Sequence, residues 1–128
     1  MPDIPPVSQH ELNAALEKFP DFRDSSALWL LRNLDKVPAK IRTAVHHNAG
    51  GHVNHSMFWR SMKPGASAGP KGQVREEINR DFASVAAFKT RFDEDGAKLL
   101  GSGWVWLVRT AQDAVITLPT AAEFIAEF

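Results

Sequence analysis

The sequence predicts an α+β protein, mostly helical, in which an N-terminal helical hairpin-type domain precedes a partial α/β domain with a short antiparallel sheet. Three observations carry this. Apolar residues recur at spacings of three and four on both sides of the chain's midpoint, the period of helices buried along one face. Pro64, Gly65, Gly69, Pro70 and Gly72 crowd a short stretch between the two helical regions, which marks a linker. From Trp104 the pattern changes to alternation, followed by a turn and a second apolar run. The expected division is a helical domain at residues 1–64, a linker at 65–72 and a partial α/β domain at 73–128.

Taken in order, Pro2, Asp3, Pro5 and Pro6 mark the first seven residues as a loose arm. Ser8 to Phe19 reads as a helix. Ser8 is the expected N-cap, and Glu11 completes a capping box. Leu12, Ala15, Leu16 and Phe19 form its apolar face, and Pro20 stops it. Ser25 or Ser26 caps a second helix holding Leu28, Trp29, Leu31 and Leu34. Val37-Pro38 breaks that helix. A long third one follows, with Pro38 suited to the first helical position and Val53, Met57, Phe58 and Met62 as a stripe running toward Pro64-Gly65.

Beyond the linker, Gln73 to Arg80 is a short charged helix. Ser84 caps the next, which runs to about Leu99 with Val85, Phe88, Phe92 and Leu99 inward. Lys89, Arg91, Asp93, Glu94 and Asp95 are placed on its solvated side, and Gly96 is expected to bend it. Gly101-Ser102-Gly103 is a turn, without the Lys and spacing of a phosphate loop. Trp104 to Val108 is a strand with Trp104, Trp106 and Val108 on one face. Ala111-Gln112-Asp113 connects it to a second strand, Ala114 to Leu118, and Thr120 caps a last helix from Ala121 to Phe128. Two strands alone are marginal in water, so exposed apolar surface and self-association are expected around Trp104, Trp106 and the tail.

One stretch carries chemistry. Four of the chain's five histidines, His46, His47, His52 and His55, fall within ten positions. His52 and His55 are three residues apart, on one face of the long helix. Neutral imidazole is the commonest ligand for transition metals, though two such groups do not hold an ion alone. Gly50-Gly51 inside a helix costs about 1 kcal/mol per residue relative to Ala, so close packing against the backbone is expected there. Asn54 is placed to donate a hydrogen bond beside the site, and Trp59 to exclude water from it. The alternative for each His is a structural role satisfied within the fold. A zinc or nickel site built from all four histidines is a further reading.

Composition excludes some classes. Fifteen Lys and Arg balance fifteen Asp and Glu, so no broad basic field points to nucleic acid. There is no cysteine, which removes disulfides and thiolate sites. The apolar runs are too short to span a membrane. No signal peptide is visible, so the expected location is cytoplasmic, with the mitochondrion left open.

The run Gly50-Gly51-His52-Val53-Asn54-His55-Ser56-Met57-Phe58-Trp59 resembles a signature of the iron/manganese superoxide dismutases, Gly-Gly-His-x-Asn-His-x-x-Phe-Trp. Gly101-Ser102-Gly103-Trp104-Val105-Trp106-Leu107-Val108 resembles a second signature of that family, at a similar separation. Leu12 to Lys18 is similar to the end of the family's first helix, so the likeness runs from about Leu12 to Val108, and the tail does not share it. The resemblance implies an oxidoreductase that disproportionates superoxide at one iron or manganese ion. It implies His55 as a metal ligand, His52, Asn54 and Trp59 as neighbours of the metal, and Trp104 as a pocket wall. It also implies a homo-oligomer. Of the family's other three ligands, the first lies on the N-terminal helix at a position that would precede Met1, and the last two come from an Asp-x-Trp-Glu-His block that this sequence does not contain. The alternative is therefore a catalytically inactive dismutase-like structural or interaction module.

Overall fold

The computed structural model describes residues 6–122 and residue 124, with residues 6–8 described by their backbone alone. The chain divides into two compact units. One is Met1–Lys63 with Ala122–Ile125, and the other is Pro64–Ala121 with Ala126–Phe128.

The first unit is helical: α1 (Pro6–Leu16), α2 (Pro20–Arg23), α3 (Ala27–Arg32), a single 3-10 turn (Leu34–Lys36) and α4 (Ala39–Arg60). Pro20 opens α2, where its missing N–H leaves no helical bond unmade. Ser26 caps α3, its hydroxyl accepting the Trp29 N–H at 3.1 Å. Pro38 stands just before α4 with an extended ψ of 132°. Arg42 ties the approach to that helix, its guanidinium donating to the carbonyls of Val37 at 2.8 Å and Asp35 at 3.3 Å. Helices α1 and α3 pack on α4. Leu12 and Leu16 meet Leu30, Val37, Val45 and Ala49 in a closed core, with Ala15, Phe22, Leu31 and Ile41 at its margin.

The second unit is α5 (Gly72–Phe82), α6 (Val85–Ala97) and a hairpin of β1 (Gly103–Arg109) and β2 (Val115–Ala121). The strands run antiparallel, with Trp106 opposite Leu118 and Trp104 opposite Thr120. Gly103 is required by close approach, since a Cβ there would lie 2.5 Å from the Thr120 carbonyl oxygen. The Ser84 hydroxyl caps α6 by accepting the Ala87 N–H at 3.0 Å. Three carboxylates then fasten the hairpin to the helices. Glu77 accepts from Arg109 at 2.5 Å, Asp81 accepts the backbone N–H of Val115 at 2.8 Å, and Asp95 accepts from the Thr117 hydroxyl. Arg80 joins this set, paired with Asp81 at 2.7 Å and donating to the Asp113 carbonyl at 2.6 Å.

Several expectations are corrected. Helix α1 begins at Pro6, so Ser8 lies within its first turn rather than at the cap, and Pro6 and Val7 are helical rather than part of an arm. It ends at Leu16, not Phe19, because a second short helix starts at Pro20. In α3 the fully buried residue is Leu30, while Trp29 is 40% exposed. On α4 the buried positions are Val45, Ala49, Gly50 and Asn54. Val53 and Met57 are only half-buried, and Phe58 and Met62 are exposed, because α1 and α3 pack on another face of the helix.

In the second unit, Asp95 is buried rather than solvated, since it reaches Thr117 on β2 and Arg91 one turn back. Gly96 lies inside α6, one residue before its end at Ala97. A Cβ there would meet Val105 at 3.5 Å, an ordinary contact between helix and strand. Thr120 and Ala121 belong to β2 and not to a helix; the remainder of the expected last helix, apart from Ala122 and Phe124, lies outside the described residues.

Leu30→Ala is expected to cost about 2–5 kcal/mol, the range for a buried leucine whose surroundings cannot fully collapse, as read by denaturant unfolding followed by far-UV circular dichroism. The Asp81 carboxyl is held at about 2, below its ordinary 3.8, by Arg80 first and then by the Val115 N–H. A carboxyl depressed by folding adds stability above its unfolded pKa and loses it as pH falls through its folded one. The thermal midpoint of the second unit is therefore expected to fall between pH 3.8 and about 2, and Asp81→Asn to flatten that part of the profile. Tryptophan near-UV dichroism at a series of pH values reads both effects.

Candidate metal centre

Helix α4 runs unbroken through Gly50-Gly51 and carries four of the five expected site residues: His52, Asn54, His55 and Trp59. Trp104 lies on β1, in the other unit. The expectation of close packing at the glycines is corrected for Gly51, where a Cβ would meet nothing within 4 Å among the described residues. Gly50 is buried.

The Gly51 carbonyl instead orients a ligand candidate. His55 Nδ1 lies 2.8 Å from it. A carbonyl can only accept, so Nδ1 carries the proton and the lone pair of the neutral ring sits on Nε2. This is the form in which a histidine ligates through Nε2, with its other nitrogen held by a backbone oxygen.

The neighbours differ in character. His52 Nδ1 is buried without a hydrogen-bond partner among the described residues, and burial pushes the imidazole below its ordinary pKa. Its backbone carbonyl accepts the Ser56 hydroxyl at 2.7 Å. Asn54 is wholly buried, and its amide donates to the carbonyls of Ala122 at 3.0 Å and Phe124 at 2.8 Å. Trp59 is half-buried beside Phe58, the ring centroids 5.3 Å apart. Trp104 stacks on Trp106 at 5.2 Å with the planes 21° apart.

The four-histidine zinc or nickel site is not formed. Among the described residues no three His, Cys, Asp or Glu side chains gather into a metal-binding group. Helical geometry gives the reason, since nine residues at about 100° each put His46 and His55 on opposite sides of α4. The same observation bears on iron or manganese. The described residues offer one well-oriented imidazole and no converging second and third donor, so they do not by themselves fit such an ion.

Two features escape sequence reasoning. The Gly51 carbonyl as the group that orients His55 has a signal, a histidine four residues after a glycine in one helix, but that spacing is common. Burial of Asp95 has none, because it follows Asp93 and Glu94 and reads as part of a charged run.

Among the described residues no helix is long and apolar enough to cross a membrane. The family model for the α-hairpin domain of iron/manganese superoxide dismutases matches residues 9–63, and the model for their C-terminal domain matches residues 70–126. The second match corrects the expectation that the likeness stops at Val108, for it takes in β2 and most of the tail. Superoxide dismutase [Mn] 1 of Leptolyngbya boryana is 43% identical over 112 residues, 88% of this chain and 45% of that protein. The manganese superoxide dismutase of Salmonella typhi is 47% identical over 96 residues, 75% and 46% of the two chains. That of Thermus aquaticus is 41% identical over 110 residues, 86% and 54%. The chain spans about half the length of the curated relatives it matches. With both domain models matched in order along nearly all of its length, the chain belongs to the iron/manganese superoxide dismutase family.

Proposed function

We propose that this chain works as part of a superoxide dismutase, in which two superoxide ions and two protons become dioxygen and hydrogen peroxide. One superoxide is oxidised and the other reduced, and the metal would be iron or manganese. The observation that carries the reading is His55: the histidine of the Asn-His pair in the family signature is also the one whose ring is set by a backbone carbonyl with Nε2 as the donor atom. In this reading His55 is one metal ligand, His52, Asn54 and Trp59 surround it on α4, and Trp104 is a pocket wall. The remaining ligands come from residues outside those described. Residues 65–72 are the joint between a domain at 1–64 and one at 73–128, in keeping with the interval between the two family matches. Association into a homo-oligomer is part of the same proposal.

A second reading, a dismutase-like module without catalysis, is favoured by one observation, the absence of a metal-binding group among the described residues. Metal content per chain by plasma mass spectrometry, with a superoxide assay beside it, separates the two. Near-stoichiometric iron or manganese that is lost in His55→Ala supports the dismutase. A metal-free, inactive protein supports the module. At mildly alkaline pH, nitrogen NMR is expected to show the His55 proton on Nδ1, and Nε2 as the protonated nitrogen would remove the orientation on which the ligand assignment rests.

A further inference from the structure

Asn54 is the one polar residue among the fully buried side chains of the described chain. It is buried on α4 nine residues beyond Val45, on the side where Gly50 is also buried, and an apolar residue would fill that space at less cost. Its Oδ1 is buried without a partner among the described residues, a second cost. What it offers in return is two N–H groups on one nitrogen, and both are used. One meets the Ala122 carbonyl at 3.0 Å and the other the Phe124 carbonyl at 2.8 Å.

Those two carbonyls belong to the chain just after β2, which ends at Ala121. Among the described residues of this segment, Ala122 is half-buried and the Phe124 side chain is 52% exposed. A second contact lies two turns back along α4, where the His46 ring meets the Phe124 ring edge-on at 5.3 Å.

We propose that Asn54 is the buckle of a strap: its amide captures the main chain leaving β2 and lays residues 122 and 124 along α4, beside the turn that carries His55. Asparagine suits the position for a chemical reason. Aspartate has no donor and would face two carbonyl oxygens with its charge, and glutamine reaches too far from a helix this closely packed. Because the captured groups are backbone carbonyls, the clasp reads the position of the chain and not the identity of its side chains. The inference needs no metal at His55, so either it or the dismutase proposal can fail without the other.

The test is NMR of the full chain. The Asn54 side-chain amide is expected to exchange with solvent about tenfold or more slowly than that of Asn48, a half-buried residue whose amide donates to the Ala44 carbonyl of the same helix. Couplings across its hydrogen bonds should reach the carbonyl carbons of Ala122 and Phe124. In Asn54→Asp the ring-to-ring Overhauser effect between His46 and Phe124 should disappear while the helical dichroism persists. An Asn54 amide exchanging as fast as that of Asn48, or an undiminished effect between the two rings in Asn54→Asp, would overturn the proposal. If the variant does not fold, the exchange and couplings of the unsubstituted chain decide it.

Discussion

Two sides of α4 organise the first unit. Val45 and Ala49 close the core against Leu12, Leu16 and Leu30, and Asn54, further along the same helix, turns from packing to hydrogen bonding. Small residues make this possible. Ala49 and Gly50 are buried with almost no side chain, which lets packing partners approach the backbone of α4 there. The opposite consequence is that the ring of His55 is set by α4 itself. Its Nδ1 is held by a carbonyl one turn back in the same helix, a contact internal to α4.

The second unit is stabilised on other terms. A two-stranded sheet by itself is marginal in water and depends on packing against helices. Here Glu77, Asp81 and Asp95 each reach from a helix to a different kind of group on the hairpin: a guanidinium, a backbone N–H and a hydroxyl. Hydrogen bonding to the charged form keeps all three carboxyls below their ordinary pKa. These groups are partly open to water, so the attachment is specific in geometry more than large in energy. The stacked Trp104 and Trp106 lie on the face of the strand opposite that of Val105, which meets α6 at Gly96. Alternation along β1 thus separates the residues that attach the hairpin from the aromatic pair.

Much of this was legible before any coordinate. The α+β class, the long α4, the caps at Ser26 and Ser84, the turn at Gly101–Gly103 and the pairing of a tryptophan strand with a second strand all follow from period, capping chemistry and turn residues. So does the grouping of His52, Asn54, His55 and Trp59, because a signature within one helix needs no tertiary contact to bring its residues together. The errors share a cause. Period shows that a helix has an apolar face but not which neighbour will cover it. The stripe through Phe58 and Met62 was therefore as good a candidate on paper as the one through Val45 and Ala49.

The sequence by itself determined the identity and order of the longer elements and the place of the candidate ligand on one of them, since those depend on residues within a few turns of each other. Tertiary structure decided which polar groups are buried and what they hold. Asp95 looked solvated until Thr117 stood opposite it, and nothing near Asn54 in the chain told that its amide donates to the Phe124 carbonyl. Each of those partners is more than twenty residues away along the chain. A hydrogen bond carries no local periodicity over that distance, so only the folded chain could name its other end.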